Sequence, residues 1–265
     1  MTDITNMNEI SGLSSLQTAI NESNYIVFFG GAGVSTESGI PDFRSQDGLY
    51  NQKYKYPPEE IVSHTFLVHK TEEFYEFYKD KMLAPDAKPN AAHLKLAEME
   101  KAGKLKAVIT QNIDGLHQAA GSKEVLELHG SVLRNYCTKC GKTFSSTEDD
   151  VNAGIKYILA SDGVPKCDNM VDGKVCGGVV RPDVVLYEEG LDSNVISRTI
   201  MHISKADMLI IGGTSLVVYP AASFINYFNG KHLAVINMAS TGRDSQADIV
   251  IHEKIGKVLS QIKVS

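Results

Sequence analysis

Residues 25–45 read YIVFFGGAGVSTESGIPDFRS, and this stretch changes character twice. Tyr25, Ile26, Val27, Phe28 and Phe29 are all β-branched or aromatic, the composition of a strand buried on both faces. The strand breaks at Gly30-Gly31-Ala32-Gly33, after which Ser35, Thr36, Glu37 and Ser38 can start a helix. Strand, glycine turn and helix start make a phosphate-binding arrangement. The glycines let backbone approach an anion, and the free N–H groups and dipole of the helix stabilise its charge. Gly39-Ile40-Pro41 stops the helix early and leaves Asp42, Phe43 and Arg44 on a loop beside the phosphate. A glycine turn alone is weak evidence; an acid, an aromatic and a guanidinium just beyond it make it specific.

Outward from this stretch, strands alternate with helices. Ile10, Leu13, Leu16 and Ile20 recur three or four apart and predict an amphipathic helix over 10–21. Residues 46–65, with Tyr50, Tyr54, Tyr56 and Pro57-Pro58, read as a long loop with short helical pieces, and loops of that length are commonly functional. Phe74, Tyr75, Phe77, Tyr78 and Met82 give an aromatic helix face over 71–82, read mainly as core. Asn90 caps a helix over 91–102 that stops at Gly103. Strands follow at 106–110 and 124–128. The first ends in Gln111-Asn112-Ile113-Asp114 and the second in His129-Gly130, at strand C-termini, where open α/β sheets bind ligands. Residues 137–176 form a cysteine- and glycine-rich insertion. The pattern then resumes with helices at 193–204, 221–228 and 255–262 and strands at 207–212, 233–236 and 249–251. The expected fold is α/β: a Rossmann-like, doubly wound, mostly parallel sheet with a small domain. Residues 1–45, 90–135 and 181–265 are assigned to the nucleotide-binding domain. Residues 46–89 and 136–180, the helical module with its cofactor loop and the cysteine module, are assigned to the small domain.

The whole chain of 265 residues can bury a sizeable core, and 43% hydrophobic with 22% charged residues is an ordinary globular composition. No apolar run approaches the ~20 residues of a membrane span, and the first 24 residues lack a signal-peptide pattern. A net charge of −6 argues against non-specific nucleic-acid binding and permits a basic protein substrate. Four cysteines without an export signal point to the reducing cytoplasm.

Cys137 and Cys140 form a metal knuckle; Cys167 and Cys176, with eight residues between them, make a less regular second pair. Four thiolates close a tetrahedral shell and leave no position for water, so the expected zinc is structural, with a redox dithiol as the rival. The dinucleotide fingerprint fits badly: Gly31-x-Gly33-x-x-Thr36 lacks the third glycine, and no carboxylate stands ~20 residues on, which disfavours a dehydrogenase. Ser215, Asn237 and the helix start at Ile255 lie at strand ends suited to ribose contacts. Of the eight histidines, His93 and His117 read as packed residues. His129, beside Asn112 and Asp114 on one sheet edge, stands open between a general base and a packed residue.

Together these segments resemble the sirtuins, NAD-dependent protein-lysine deacylases, over about 12–262, with bacterial members the nearest in pattern. The resemblance rests on Gly31-Ala32-Gly33-Val34-Ser35, Gly39-Ile40-Pro41-Asp42-Phe43-Arg44, Gln111-Asn112-Ile113-Asp114, Leu128-His129-Gly130, the cysteine knuckle, Arg181-Pro182-Asp183-Val184-Val185 and Gly213-Thr214-Ser215-Leu216. It implies NAD as co-substrate, one structural zinc and acetylated-lysine proteins or peptides as partners. Ala32, Gly33, Thr36, Phe43 and Arg44 would hold the pyrophosphate and nicotinamide ribose. Gln111, Ile113 and Asp114 would meet the ribose and carboxamide, and Thr214, Ser215, Asn237 and Ile255 the adenosine half. The acyl oxygen would displace nicotinamide, with Asn112 and Asp114 orienting the reacting groups and His129 acting as base on the ribose hydroxyls, giving free lysine and O-acetyl-ADP-ribose. The peptide would add as a strand along 184–187, with Val185 accepting the acyl-lysine amide and Tyr187 lining its tunnel. Three departures from the family pattern stand out: Gly30 for a threonine, Tyr187-Glu188-Glu189 for an aromatic-Gly-Glu, and no arginine in the acyl-pocket helix. There the preferred register reads Tyr75-x-x-Tyr78, the other Tyr78-x-x-Lys81, which implies neutral acyl groups, acetyl first. Mono-ADP-ribosyl transfer, longer acyl groups and a zinc-ribbon module that only senses NAD are the alternatives.

Overall fold

A computed structural model describes residues 10–44, 48–49 and 53–264. Its centre is a six-stranded parallel sheet. In chain order the strands are β1 (Ile26–Gly30), β2 (Leu105–Thr110), β3 (Val125–Glu127), β4 (Gly130–Cys137), β5 (Thr143–Ser145), β6 (Met170–Val171), β7 (Lys174–Val175), β8 (Val180–Val184), β9 (Met208–Gly212), β10 (His232–Ile236) and β11 (Ile249–Ile251). The sheet runs β11-β10-β9-β1-β2-β3. Every residue of β1 and β9 is buried, as expected for strands covered on both faces. The order reverses between β9 and β1, where Gly30 pairs with Gly212 on one side and Thr110 on the other. A crevice opens at such a switch point, outside the carboxyl ends of the strands.

The helices are α1 (Leu13–Glu22), α2 (Pro58–Ile61), α3 (His64–His69), α4 (Thr71–Phe77), α5 (Ala91–Lys101), α6 (Leu116–Ala119), α7 (Ala153–Ala160), α8 (Ser193–Lys205) and α9 (Ile255–Leu259). One face of the sheet packs Phe28, Val108 and Ile210 against Leu16 and Ile20 of α1, Leu96 and Met99 of α5, and Val258 and Leu259 of α9. The other buries Val27, Phe29 and Leu209 against Ile203 of α8 and Phe224 of a 3₁₀ helix over Ala221–Tyr227. The sheet is therefore doubly wound. Asn90 caps α5 with its side-chain oxygen on the Ala92 amide, and His93 completes a capping box by accepting from the Asn90 N–H.

A second core joins the helical module to the cysteine module. Ile61, Phe66, Phe74 and Tyr75 pack with Cys137, Ile155, Cys176, Val180 and Leu186. Its small antiparallel sheet, β5-β4-β8, begins at Gly130, directly after His129.

Two local expectations change. The segment after the glycines is two 3₁₀ turns, Ala32–Val34 and Thr36–Ser38, because Gly39 at φ 84° ends the run before an α-helix can propagate. The aromatic helix ends as a π-helix over Tyr78–Met82. Part of the expected loop over 46–65, with Tyr50, lies outside the described residues.

Candidate active site

The switch-point crevice continues into a cavity of about 780 Å³ between the parallel sheet and the small domain. Ala32, Gly33, Thr36, Phe43, Arg44, Gln111, Asn112, Ile113, Asp114, His129, Val185, Tyr187, Thr214, Ser215, Asn237 and Ile255 all line it. The sequence-predicted residues, drawn from segments more than 200 positions apart, surround one space.

The floor is built by backbone contact. Gly33 donates its N–H to the Gly213 carbonyl at 2.8 Å. A Cβ on Gly33 would stand 2.8 Å from the Gly213 Cα, so a side chain here would push the phosphate turn off β9. Thr36 is exposed and its hydroxyl donates back to the Gly33 carbonyl. The position where a third fingerprint glycine is expected therefore lies outside the tight packing.

At the sheet edge His129 Nδ1 lies 2.9 Å from the Gln111 carbonyl. A carbonyl can only accept, so Nδ1 carries the proton and Nε2 holds the lone pair. Burial pushes the His129 imidazole below its ordinary pKa, and the Gln111 bond offsets part of that shift. His129 is thus neutral at pH 7, the form a general base requires.

Asn112 and Asp114 meet through a residue that strand-end reasoning left out. Ser35 is buried, donates to Asp114 Oδ2 at 2.6 Å and accepts from Asn112 Nδ2 at 3.0 Å. Asp114 Oδ1 accepts the Leu116 amide at 2.9 Å. Ser35 stands within the Gly31–Ser35 segment already singled out, and only its assignment to a helix start hid this role.

Gln111 is held by Thr214, whose hydroxyl donates to Gln111 Oε1 at 2.9 Å and accepts the Leu216 amide. Thr214, expected among the adenosine contacts, lines the cavity while its hydroxyl also holds Gln111. Gln111 Nε2 is buried with no protein partner among the described residues. An amide donor left over at the wall of a mostly apolar cavity fits a ligand with acceptor oxygens, as a dinucleotide has.

The peptide side is more closed than expected. Val185 donates its N–H to the His129 carbonyl, and Leu186 donates to Glu189 Oε2. Tyr187 pairs in parallel with Ser63: its N–H goes to the Val62 carbonyl and its carbonyl takes the His64 N–H. Glu188 adopts φ 76°, the left-handed conformation that glycine takes without steric cost, and its carboxylate accepts the Thr65 amide. Arg181 and His64 both reach Glu189, and this pairing holds its carboxyl at a pKa of about 2 despite partial burial.

Tyr75 does not enter the cavity. Its hydroxyl donates to the Val180 carbonyl at 2.7 Å inside the small-domain core, whereas Tyr78 and Lys81 line the cavity wall. The register Tyr78-x-x-Lys81 therefore replaces Tyr75-x-x-Tyr78. The Lys81 ammonium is paired with Asp80 at 2.8 Å.

The Cys137, Cys140, Cys167 and Cys176 sulfurs all lie within 4.8 Å of one another, with Cys137–Cys176 and Cys140–Cys167 each at 3.6 Å. Tetrahedral zinc with ~2.3 Å bonds to sulfur requires edges of about 3.8 Å. The four thiols fit one structural zinc, and none of them lines the cavity.

Comparison with known proteins agrees with this geometry. The family model described as Sir2 family matches residues 31–220. An NAD-dependent protein deacetylase of Clostridium perfringens is 59% identical over 253 residues, covering 94% of this chain and 98% of the relative. Its counterpart in Clostridium acetobutylicum is 56% identical, covering 94% and 97%. Among solved structures, a Sir2 with deacetylated p53 peptide and 3′-O-acetyl ADP ribose superposes with a TM-score of 0.81 at 38% identity, covering 93% of this chain and 95% of the other. With its parallel sheet, four-cysteine module and intervening cavity, this chain belongs to the Sir2 family.

Proposed function

We propose that the chain is an NAD-dependent protein-lysine deacetylase that converts acetyl-lysine, NAD and water to nicotinamide, free lysine and 2′-O-acetyl-ADP-ribose. The observation that carries this reading is the fixed tautomer of His129, a neutral imidazole at the wall of a cavity beside the Asn112–Ser35–Asp114 network. NAD supplies the ribose carbon that takes the acyl oxygen as nicotinamide leaves, and the hydroxyls that later receive the acyl group. Ala32, Gly33, Thr36, Phe43 and Arg44 hold the pyrophosphate and nicotinamide ribose, Gln111 and Ile113 the ribose and carboxamide, and Thr214, Ser215, Asn237 and Ile255 the adenosine half. Asn112 and Asp114, locked together by Ser35, orient the ribose and the leaving group. An amide oxygen is a poor nucleophile, so this positioning supplies much of the rate. His129 Nε2 then accepts the ribose hydroxyl proton, a contribution of about 10²–10⁴-fold for general-base catalysis.

The acyl-lysine enters between the nucleotide-binding unit (1–45, 90–135, 181–265) and the small unit (46–89, 136–180). The Val185 carbonyl accepts its amide and Tyr187 lines its tunnel. The zinc holds the small unit in shape and takes no chemical step. Acetyl is the preferred group, because Lys81, paired with Asp80, offers no bidentate fork to a dicarboxylic tail. No helix among the described residues is long and apolar enough to cross a membrane. A reducing cytoplasm suits four thiols that hold zinc rather than pair as disulfides.

Incubation with an acetyl-lysine peptide and NAD, read by mass, should yield O-acetyl-ADP-ribose and nicotinamide in equal amounts. ADP-ribose attached to protein, with the acetyl group intact, would instead identify a mono-ADP-ribosyltransferase. Faster turnover of the succinylated than of the acetylated form of one peptide would overturn the acyl preference.

A further inference from the structure

Glu37 lies just past the phosphate turn, on an exposed 3₁₀ turn and off the cavity wall. Its Oε2 nevertheless accepts the backbone N–H of Gly256 at 2.7 Å, from a residue 219 positions away. Gly256 is the second residue of α9, directly after Ile255, and α9 has no side-chain cap of its own. A Cβ on Gly256 would stand 2.6 Å from Glu37 Oε2, so an alanine here would push the carboxylate away from the amide. The carboxylate satisfies a helix-start amide that would otherwise lack a partner and meets the positive end of the peptide dipoles. The two ends of this bond belong to opposite ends of the cofactor site. Glu37 continues the turn of Ala32 and Gly33, and Gly256 continues from Ile255 at the cavity edge.

We propose that Glu37 is a positioning residue that sets the span between the pyrophosphate cradle and the adenosine contact by strapping the first turn of α9 to the phosphate turn. The inference rests on the assignment of residues 32–36 and Ile255 to the two halves of the NAD site. Glu37 touches neither the reacting atoms nor the peptide groove, so its loss should act on nucleotide affinity alone. Glutamine retains a carbonyl oxygen able to accept the same N–H, and alanine does not.

The test is calorimetric titration of AMP, ADP-ribose and nicotinamide into the wild type, Glu37→Ala, Glu37→Gln and Gly256→Ala, followed by steady-state kinetics with an acetyl-lysine peptide. Glu37→Ala should weaken AMP and ADP-ribose about fivefold and raise KM for NAD to match. Nicotinamide affinity, peptide KM and kcat should stay within twofold. Glu37→Gln should restore affinity to within twofold of wild type. Gly256→Ala should reproduce the alanine defect, and the double variant should be no worse than either single one. Unchanged AMP affinity in Glu37→Ala would overturn the strap, as would a loss of kcat with AMP binding intact. Failure of the wild type to consume NAD would instead defeat the activity assignment, which the AMP and ADP-ribose titrations do not depend on.

Discussion

At the scale of single residues, the site depends on hydrogen bonds that fix which atom is free. Because Nδ1 of His129 is bound, His129→Ala should lower deacetylation by about 10²–10⁴-fold while ADP-ribose still binds, which calorimetry beside turnover will check. Burial lowers the His129 pKa, so the neutral base persists below the ordinary histidine value of ~6.5. The acid limb of kcat/KM should therefore fall below that pH. Ser35→Ala removes one hydrogen bond to a carboxylate, for which ~1.5–3 kcal/mol predicts a 10–100-fold lower kcat, with the fold intact by circular dichroism. His129, Asn112 and Asp114 were legible in the sequence because each follows the end of a short apolar strand, where ligands collect. Ser35 was not, since serine after a glycine turn also reads as a helix start. Only the approach of Asp114 across the sheet shows which it is.

At the scale of elements, Asn90 does more than cap. While its oxygen holds the α5 amide, its Nδ2 donates to the Val34 carbonyl at 2.7 Å and to Ser38 Oγ at 2.9 Å, bracing the phosphate turn. Asn90→Ala should cost about 1–2 kcal/mol of stability from the lost cap alone and raise KM for NAD, measured by denaturant unfolding beside kinetics. The strands and long helices were readable from period and caps, to within a residue or two at most ends. The 3₁₀ turns were not, because Ser, Thr and Glu suit the first turn of either helix type and the Gly39 stop decides between them. Tyr75 misled for a related reason. A run of aromatics on one helix shows that a face is buried, but not which of two neighbouring cores receives each ring.

At the scale of the whole molecule, two features set its response to conditions. His93 and His117 are fully buried with ring centroids 4.7 Å apart, and burial, then the neighbouring imidazole, pushes His117 down to about 3. An unfolded chain binds protons on these histidines from ~6.5 downward while the folded chain resists. Stability should thus decline as the pH drops from about 6.5 toward 4, by up to ~1.4 kcal/mol per unit for each such group. His117→Leu should flatten that slope in thermal melts. Removing zinc with a chelator should unfold the small unit and abolish activity. Refolding with cadmium should restore both together, whereas a rate that varied with the metal would contradict a purely structural ion. The parallel sheet and the insertion were legible as architecture, but their closure onto one cavity depends on contacts between distant segments that no local pattern carries. The stitching of Tyr187 to residues 62–64 has a last consequence. Along 185–187 the Val185 oxygen is the one main-chain acceptor with no partner among the described residues. On the proposed reading, this segment would offer a client protein one main-chain acceptor, that of Val185, and would hold it chiefly by the modified side chain.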